Sequence, residues 1–131
     1  MARILIVDDS PSQLLTIKRI VEKLGHKPIV AEDGAAGVEA AKRELPDMVL
    51  MDVVMPNLNG FQATRTLSRD VNTRHIPVVL VTTKDQDTDR MWGLRQGAKA
   101  YLTKPFSESE LAELIERLFN TAQAPPVPPA A

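Results

Sequence analysis

The 131-residue chain contains no cysteine, which excludes disulfide bonds, thiolate nucleophiles and cysteine-ligated zinc or iron–sulfur sites. Histidine is scarce as well, since His26 and His75 are the only two, and a multi-histidine metal site is therefore not expected. No apolar run approaches the roughly 20 residues of a membrane-spanning helix, and the N-terminus has no signal-peptide pattern. We expect a cytoplasmic protein that does not insert into a membrane.

The chain also lacks an excess of charge of either sign. Sixteen basic and 17 acidic residues give a formal net charge of -1. This balance excludes the strong positive field that is typical of nucleic-acid and membrane-surface binders. The hydrophobic fraction of 44% is ordinary for a globular protein, and the length suits one domain.

Proline is unevenly distributed, because four of the ten prolines lie within residues 125–131. Residues 121–131 also contain no charge and no glycine. This composition predicts a flexible Pro/Ala-rich tail rather than part of a core. The folded domain is therefore expected to span residues 1–120. A folded part of this size leaves no room for a second domain, so we expect any action beyond its own site to require docking to another protein.

Five short apolar runs alternate with five helical patterns along residues 1–120. The first run, residues 4–7, is continuous rather than alternating, which indicates a strand covered on both faces of a parallel sheet. Ser10, Pro11 and Gln13 then give the signature of a helix start, and Pro28 suggests that the second strand lies at a sheet edge. The pattern predicts an α/β fold of the (βα)5 type, doubly wound around a five-stranded parallel sheet.

Polar side chains follow four of the five predicted strands. Asp8 and Asp9 follow the first, Asp52 the third, Thr82 the fourth and Lys104 the fifth. Because ligands bind at the carboxyl ends of the strands in such sheets, we expect these residues to converge. Each alone is more often a turn or surface residue, but their combination in this order indicates a site.

The chemistry of this set is that of phosphoryl transfer. Three close carboxylates repel one another unless a cation intervenes, and an all-oxygen ligand set favours Mg²⁺. Asp52 is the candidate oxygen nucleophile. Lys104 and the Thr82 hydroxyl could stabilise the transferred oxygens.

Four segments that contain these residues resemble the receiver domain of bacterial response regulators, the family that includes the chemotaxis regulator CheY. They are VDDS at 7–10, MDVVMPNLNG at 51–60, VTT at 81–83 and YLTKPF at 101–106. The resemblance covers about residues 2–120. It implies a flavodoxin/CheY-like fold with strand order 2-1-3-4-5 and Mg²⁺ as the cofactor.

The resemblance also implies a role for each residue of the acidic cluster. Asp52 would be the phospho-acceptor. Asp9 would bind Mg²⁺ directly and Asp8 through water, and the backbone carbonyl of Val54 would complete the protein ligands.

A switch is implied by the same resemblance. Thr82 and Lys104 would hold the phosphoryl oxygens, and a cis peptide bond before Pro105 would place the lysine. Phosphorylation would draw the Thr82 hydroxyl inward, and Tyr101 would move into the vacated space. The fourth helix, fifth strand and fifth helix would form the output face. On that face we expect Arg90, Leu94, Lys99, Tyr101 and Phe106.

A narrower similarity concerns residues 61–65 and 82–98, which resemble regulators of the PilH type. That subfamily belongs to the chemotaxis-like system that controls type IV pili and twitching motility. The resemblance implies a histidine kinase of the chemotaxis class as phosphodonor and a downstream motility, pilus or signalling protein as target. We expect the protein to be a stand-alone monomer. It would not be an enzyme beyond catalysing its own phosphorylation and dephosphorylation.

Two other functions compete with this interpretation. A Mg²⁺-dependent phosphatase or phosphotransferase with an aspartyl nucleophile would generally need a carboxylate two residues after Asp52, where this chain has Val54. A flavodoxin-like nucleotide or flavin binder would need a glycine-rich loop after the first strand, where this chain has Asp8 and Asp9. We further hypothesise that Val54, together with Lys84, sets the lifetime of the phosphoryl group, because both lie beside the path of a hydrolysing water.

Overall fold

The polypeptide forms five consecutive β-α units in a computed structural model, which describes residues 1–123. The (βα)5 prediction is confirmed. Helix α5 continues past the predicted domain boundary at residue 120, and residues 124–131 of the predicted tail lie outside the described residues. The elements in chain order are β1 Arg3–Val7, α1 Pro11–Lys23, β2 Lys27–Ala31, α2 Gly34–Glu44, β3 Met48–Met51, α3 Gly60–Arg69, β4 Val78–Thr82, α4 Asp87–Arg95, β5 Ala100–Thr103 and α5 Glu108–Gln123.

All neighbouring strands pair in parallel, and their order is β2-β1-β3-β4-β5. This is the predicted order, in which β1 and β3 are adjacent although β2 lies between them in sequence. Strand β2 lies at the edge that Pro28 indicated, where a residue without an N–H removes no ladder bond from a central strand. Within residues 1–123, no helix has both the length and the apolar content that crossing a bilayer requires.

The sheet separates two apolar layers, and this arrangement explains the continuous apolar strands. Successive side chains of a strand point to opposite faces, so Leu5 and Val7 enter one layer while Ile4 and Ile6 enter the other. The first layer also contains residues of α2 and α3, and the second contains residues of α1 and α5. The four β1 residues 4–7 are 0–1% exposed, as a strand covered on both faces must be.

Helix starts fix the segments that follow the strands. At α5 a capping box is formed, because the Glu110 N–H donates to Ser107 Oγ at 3.1 Å and the Ser107 N–H donates to Glu110 Oε1 at 3.0 Å. At α1 only half of it is formed. The Gln13 N–H donates to Ser10 Oγ at 3.5 Å, but the Ser10 N–H donates to Asp8 Oδ1 at 2.9 Å. The start of α1 is thereby tied to the end of β1.

Gly60 allows the start of α3 to lie directly on the end of β3. Its N–H donates to the Val53 carbonyl at 2.9 Å. A Cβ atom on residue 60 would overlap the carbonyl oxygen of Asp52 and would lie 2.8 Å from the Val53 Cα. Because both obstacles are backbone atoms, no side-chain rotation could relieve the overlap. Glycine at 60 is therefore needed for the observed backbone around Asp52.

We predict that Gly60→Ala lowers the free energy of unfolding by about 1–3 kcal/mol, the usual cost of inserting a methyl group into a packed region. Urea unfolding followed by circular dichroism would measure the change. Arg65→Ala, at an exposed position of the same helix, is the matched control and should change stability by less than about 0.5 kcal/mol. Equal stability of Gly60→Ala and the control would contradict the prediction.

Candidate functional site

Three carboxylates meet at the carboxyl edge of the sheet. Asp8 and Asp9 follow β1 and Asp52 follows β3, and these neighbouring strands align Val7 with Met51. One carboxylate oxygen from each aspartate lies within 4.8 Å of the other two. Asp8 is buried, Asp52 is half-buried and Asp9 is exposed. Within residues 1–123 this is the one group of three such side chains that could hold a metal ion.

Lys104, which follows the outermost strand β5, brings a positive charge to this cluster. Its Nζ lies 2.7 Å from Asp8 Oδ2 and 3.7 Å from Asp52 Oδ2, and its side chain is only 9% exposed. The Lys104–Pro105 peptide bond is cis. The ammonium group is therefore shared between two of the three carboxylates, with the shorter contact to Asp8.

Backbone N–H groups hold the carboxylate of Asp52, and sequence reasoning did not find them. Asp52 Oδ1 accepts hydrogen bonds from the N–H groups of Val53 at 2.8 Å and Val54 at 3.4 Å. A peptide N–H is present at every residue except proline, so no residue type marks such a donor. The glycine at position 60 was the sequence signal available for this tight turn, because a Cβ atom there would overlap the Asp52 backbone.

The pKa of Asp52 is raised above its ordinary value of 3.8. Burial is the largest cause, since it disfavours the charged form, and the negative charge of Asp8 raises the pKa further. Lys104 acts in the opposite direction, as do hydrogen bonds with the Thr82 side chain and the Val54 backbone. The lysine thus compensates only part of the cost of keeping this carboxylate ionised.

The donor set fits a hard divalent cation. Three carboxylates face one ammonium group in the described part of the chain, so negative charge remains in excess. Carboxylate oxygens at this spacing are the ligands that Mg²⁺ uses in proteins, usually with retained water. Exposed Asp9 and half-buried Asp52 offer oxygen atoms at the open side of the cluster.

An open cleft surrounds the cluster. Val54, which is 54% exposed, lines this cleft together with Pro105 and Phe106. Met55, three residues after Asp52, is 8% exposed and belongs to the core layer. The remaining cleft residues come mainly from the β1–α1 loop and α1: Ser10, Gln13, Thr16, Arg19 and Ile20.

Thr82 and Tyr101 lie on adjacent strands and are linked through one residue. Thr82 is fully buried at the end of β4. Its Oγ1 accepts the N–H of Lys84 at 3.4 Å, and the carbonyl of Lys84 accepts the Tyr101 hydroxyl at 2.7 Å. The ring of Tyr101 packs against the core layer under α4. The two residues assigned to a switch therefore share the backbone of Lys84 as a common partner.

The four further residues expected on an output face differ in their surroundings. Leu94 is 53% exposed, and Lys99 is exposed. Phe106 is half-buried beside the cleft. Arg90 is half-buried and engaged with β5, because its Nη2 donates to Thr103 Oγ1 at 2.7 Å. Arg90 thus packs against the protein itself.

Comparison with known families and proteins agrees with this geometry. Residues 4–116 match the family model described as the response regulator receiver domain. The chain is 58% identical to Protein PilH of Pseudomonas aeruginosa over 115 residues, which are 88% of this chain and 95% of that protein. It is 40% identical over 117 residues to the response regulator PleD of Caulobacter vibrioides, of which it spans 26%.

Solved structures with the same fold include the chemotaxis protein CheY4 of Vibrio cholerae. Its TM-score is 0.84 at 27% identity, over 89% of this chain and 98% of that chain. Another is the receiver domain of the sensor histidine kinase PA1611 of Pseudomonas aeruginosa, with a TM-score of 0.82 at 34% identity, over 88% of this chain and 95% of that chain. In that structure a magnesium ion is coordinated in the active-site cleft.

We predict that Tyr101 titrates far above an ordinary tyrosine, because its pKa is raised from 10.0 to about 12. Burial is the largest cause, and the charge of Asp89 adds to it. The folded protein holds the phenolic proton more tightly than the unfolded chain does. This difference stabilises the fold fully below pH 10, and the stabilisation is lost as the pH rises towards 12.

Phenolate absorbance near 295 nm measures this titration without ambiguity, since Tyr101 is the only tyrosine in the chain. The same titration in concentrated guanidinium chloride is the control and should return the ordinary midpoint. A midpoint near 10 in protein whose circular dichroism is still native would contradict the prediction.

Proposed function

The chain belongs to the response regulator receiver domain family, and on this premise we propose that it accepts a phosphoryl group on Asp52 with the help of Mg²⁺. The observation that carries the proposal is the convergence of Asp8, Asp9 and Asp52 around the Lys104 ammonium. A nucleophilic carboxylate, an electrophilic cation and an acidic metal site are the components that phosphoryl transfer requires.

Transfer would proceed by attack of an Asp52 carboxylate oxygen on the phosphorus of a phosphohistidine. A P–O bond forms, the P–N bond breaks and the histidine leaves. The raised pKa of Asp52 makes its carboxylate a stronger base. The nearby Lys104 ammonium would bind a phosphoryl oxygen. The N–H groups of Val53 and Val54 hold one Asp52 oxygen in a fixed orientation.

Mg²⁺ would be held by Asp9 and Asp52 directly, by Asp8 through water and by the Val54 carbonyl. When bound, it would neutralise charge on the phosphoryl oxygens. Asp8 already accepts hydrogen bonds from Lys104 and the Ser10 N–H, and this agrees with an indirect part in metal binding.

The phosphorylated state would differ from the free state at α4, β5 and α5. Phosphorylation adds negative charge near Thr82, and the hydroxyl of Thr82 would turn towards it. The backbone of Lys84 is hydrogen-bonded to both Thr82 and Tyr101. A movement of Thr82 would therefore be passed through Lys84 to Tyr101 and to the exposed face that includes Leu94 and Lys99. Partner proteins would read that face.

We place this protein in a chemotaxis-like system that controls type IV pili and twitching motility. The support is its 58% identity to Protein PilH, of which it spans 95%. Its phosphodonor would be a histidine kinase of the chemotaxis class, and its target a motility, pilus or signalling protein.

The decisive test is incubation with Mg²⁺ and acetyl phosphate, followed by intact-mass measurement. We predict that the wild-type chain gains one phosphoryl group, and that Asp52→Ala and wild type treated with a metal chelator do not. Asp85→Ala is the matched control, because Asp85 is an exposed carboxylate in the loop before α4. A phosphoryl gain that persists in Asp52→Ala, or no phosphoryl gain in the wild-type chain with either acetyl phosphate or a phosphorylated kinase, would contradict the proposal.

We predict that Val54→Asn shortens the lifetime of the phosphoryl group. The valine side chain is 54% exposed at the rim of the cleft, where an apolar group cannot orient a hydrolysing water and an amide can. Loss of the phosphoryl mass after removal of acetyl phosphate would give the rate constant. Val54→Thr, which keeps the branched shape, should lie nearer to wild type, and an unchanged rate in Val54→Asn would reject the hypothesis.

A further inference from the structure

Helix α4 makes an unusually small apolar contact with the sheet. Gly93 is its one buried residue, whereas Met91, Trp92 and Leu94 are 59%, 48% and 53% exposed. The helix therefore gains little from burial of side chains, and its position depends on a few specific contacts. Arg90 supplies two of these.

Arg90 links α4 to two residues of β5. Its Nη2 donates to Thr103 Oγ1 at 2.7 Å, and its guanidinium carbon lies 5.3 Å from the centre of the Tyr101 ring. A cation over an aromatic face at this distance is attracted by the electrons of the ring. The bond to Thr103 fixes the plane of the guanidinium group, so the arginine is held where it covers Tyr101.

The Tyr101 ring also lies close to the backbone of α4 at Gly93. A Cβ atom on Gly93 would lie 3.2 Å from Tyr101 Cδ2 and 2.7 Å from Leu80 Cδ1. The missing side chain thus creates the space that the ring occupies. Arg90 and Gly93 therefore both contact the ring, and its hydroxyl donates to the Lys84 carbonyl at 2.7 Å.

The position of Tyr101 is linked to Thr82 through the backbone of a single residue, Lys84. The Lys84 carbonyl accepts from Tyr101, and the Lys84 N–H donates to Thr82 Oγ1. The Lys84 side chain also lies 3.8 Å from Asp89 of α4. Thr82 is also one of the groups that lower the pKa of Asp52. In this arrangement Thr82 and Tyr101 are both bonded to the backbone of Lys84, and Thr82 acts on the phospho-acceptor.

We propose that Arg90 is a positioning residue that stabilises the phosphorylation-competent arrangement, by holding Tyr101 where it bonds to Lys84 and keeps Thr82 directed at Asp52. This inference rests on the proposed function, because it concerns the rate at which Asp52 is phosphorylated. Arg90 touches neither Asp52 nor the phosphoryl site. It acts by raising the fraction of molecules in the competent arrangement, and the rate follows that fraction.

The test compares phosphorylation rate constants with Mg²⁺ and acetyl phosphate, measured by intact mass. Arg90→Ala is expected to be slower than wild type by about fivefold, at the lower end of typical coupling between sites. Thr103→Val keeps the arginine but removes its anchor, and is expected to fall between the two. Arg95→Ala, an exposed arginine on the same helix, is the matched control and should keep the wild-type rate.

A double-mutant cycle separates positioning from general packing. If Arg90 acts through Tyr101, then Arg90→Ala should cause no further slowing in a Tyr101→Ala background. Urea unfolding of each variant shows whether it is folded under the assay conditions. If Arg90→Ala is not folded, Thr103→Val tests the proposal in its place.

Two results would overturn the inference while leaving the proposed function intact. One is a wild-type rate in Arg90→Ala, and the other is independent, multiplying effects of Arg90→Ala and Tyr101→Ala. No phosphoryl gain in the wild-type chain would instead overturn the proposed function, and the inference with it.

Discussion

Repulsion among three carboxylates at one edge of the sheet is the constraint on which the rest of the site depends. Parallel pairing of β1 with β3 brings Asp8 and Asp9 beside Asp52, and like charges at this distance disfavour one another. Lys104 offsets part of the cost through its contacts with Asp8 and Asp52. The uncompensated charge makes the edge attractive to a divalent cation, and, with the cation in place, to a phosphoryl group.

This electrostatic arrangement needs a rigid backbone, and the fold provides it at two points. The Ser10 N–H ties the start of α1 to the Asp8 carboxylate, and Gly60 lets α3 lie against the backbone of Asp52. The strands behind these loops are buried on both faces. The carboxylates therefore follow strands that are closely packed on both faces, which opposes any movement of these strands that would relieve the repulsion.

Helix α4 contrasts with this rigidity. It buries one residue, exposes three large apolar side chains and is joined to β5 by Arg90. An element with few buried contacts shifts at low energetic cost. The molecule thus combines a fixed site with a weakly held neighbour, and the backbone of Lys84 connects the two. Such a combination suits a protein whose chemistry must be read at a distance.

The sequence by itself determined the order of the elements, the parallel sheet with Pro28 at its edge, and the residue types that follow each strand, because apolar periodicity and chain punctuation are local properties. The tertiary structure decided what no local pattern encodes: the shorter contact of Lys104 to Asp8 rather than Asp52, the backbone donors on Asp52, the burial of Met55, and the engagement of Arg90 with Thr103 and Tyr101. These features depend on distances between residues far apart in the chain, and such distances exist only once the strands have paired and the helices have packed on them.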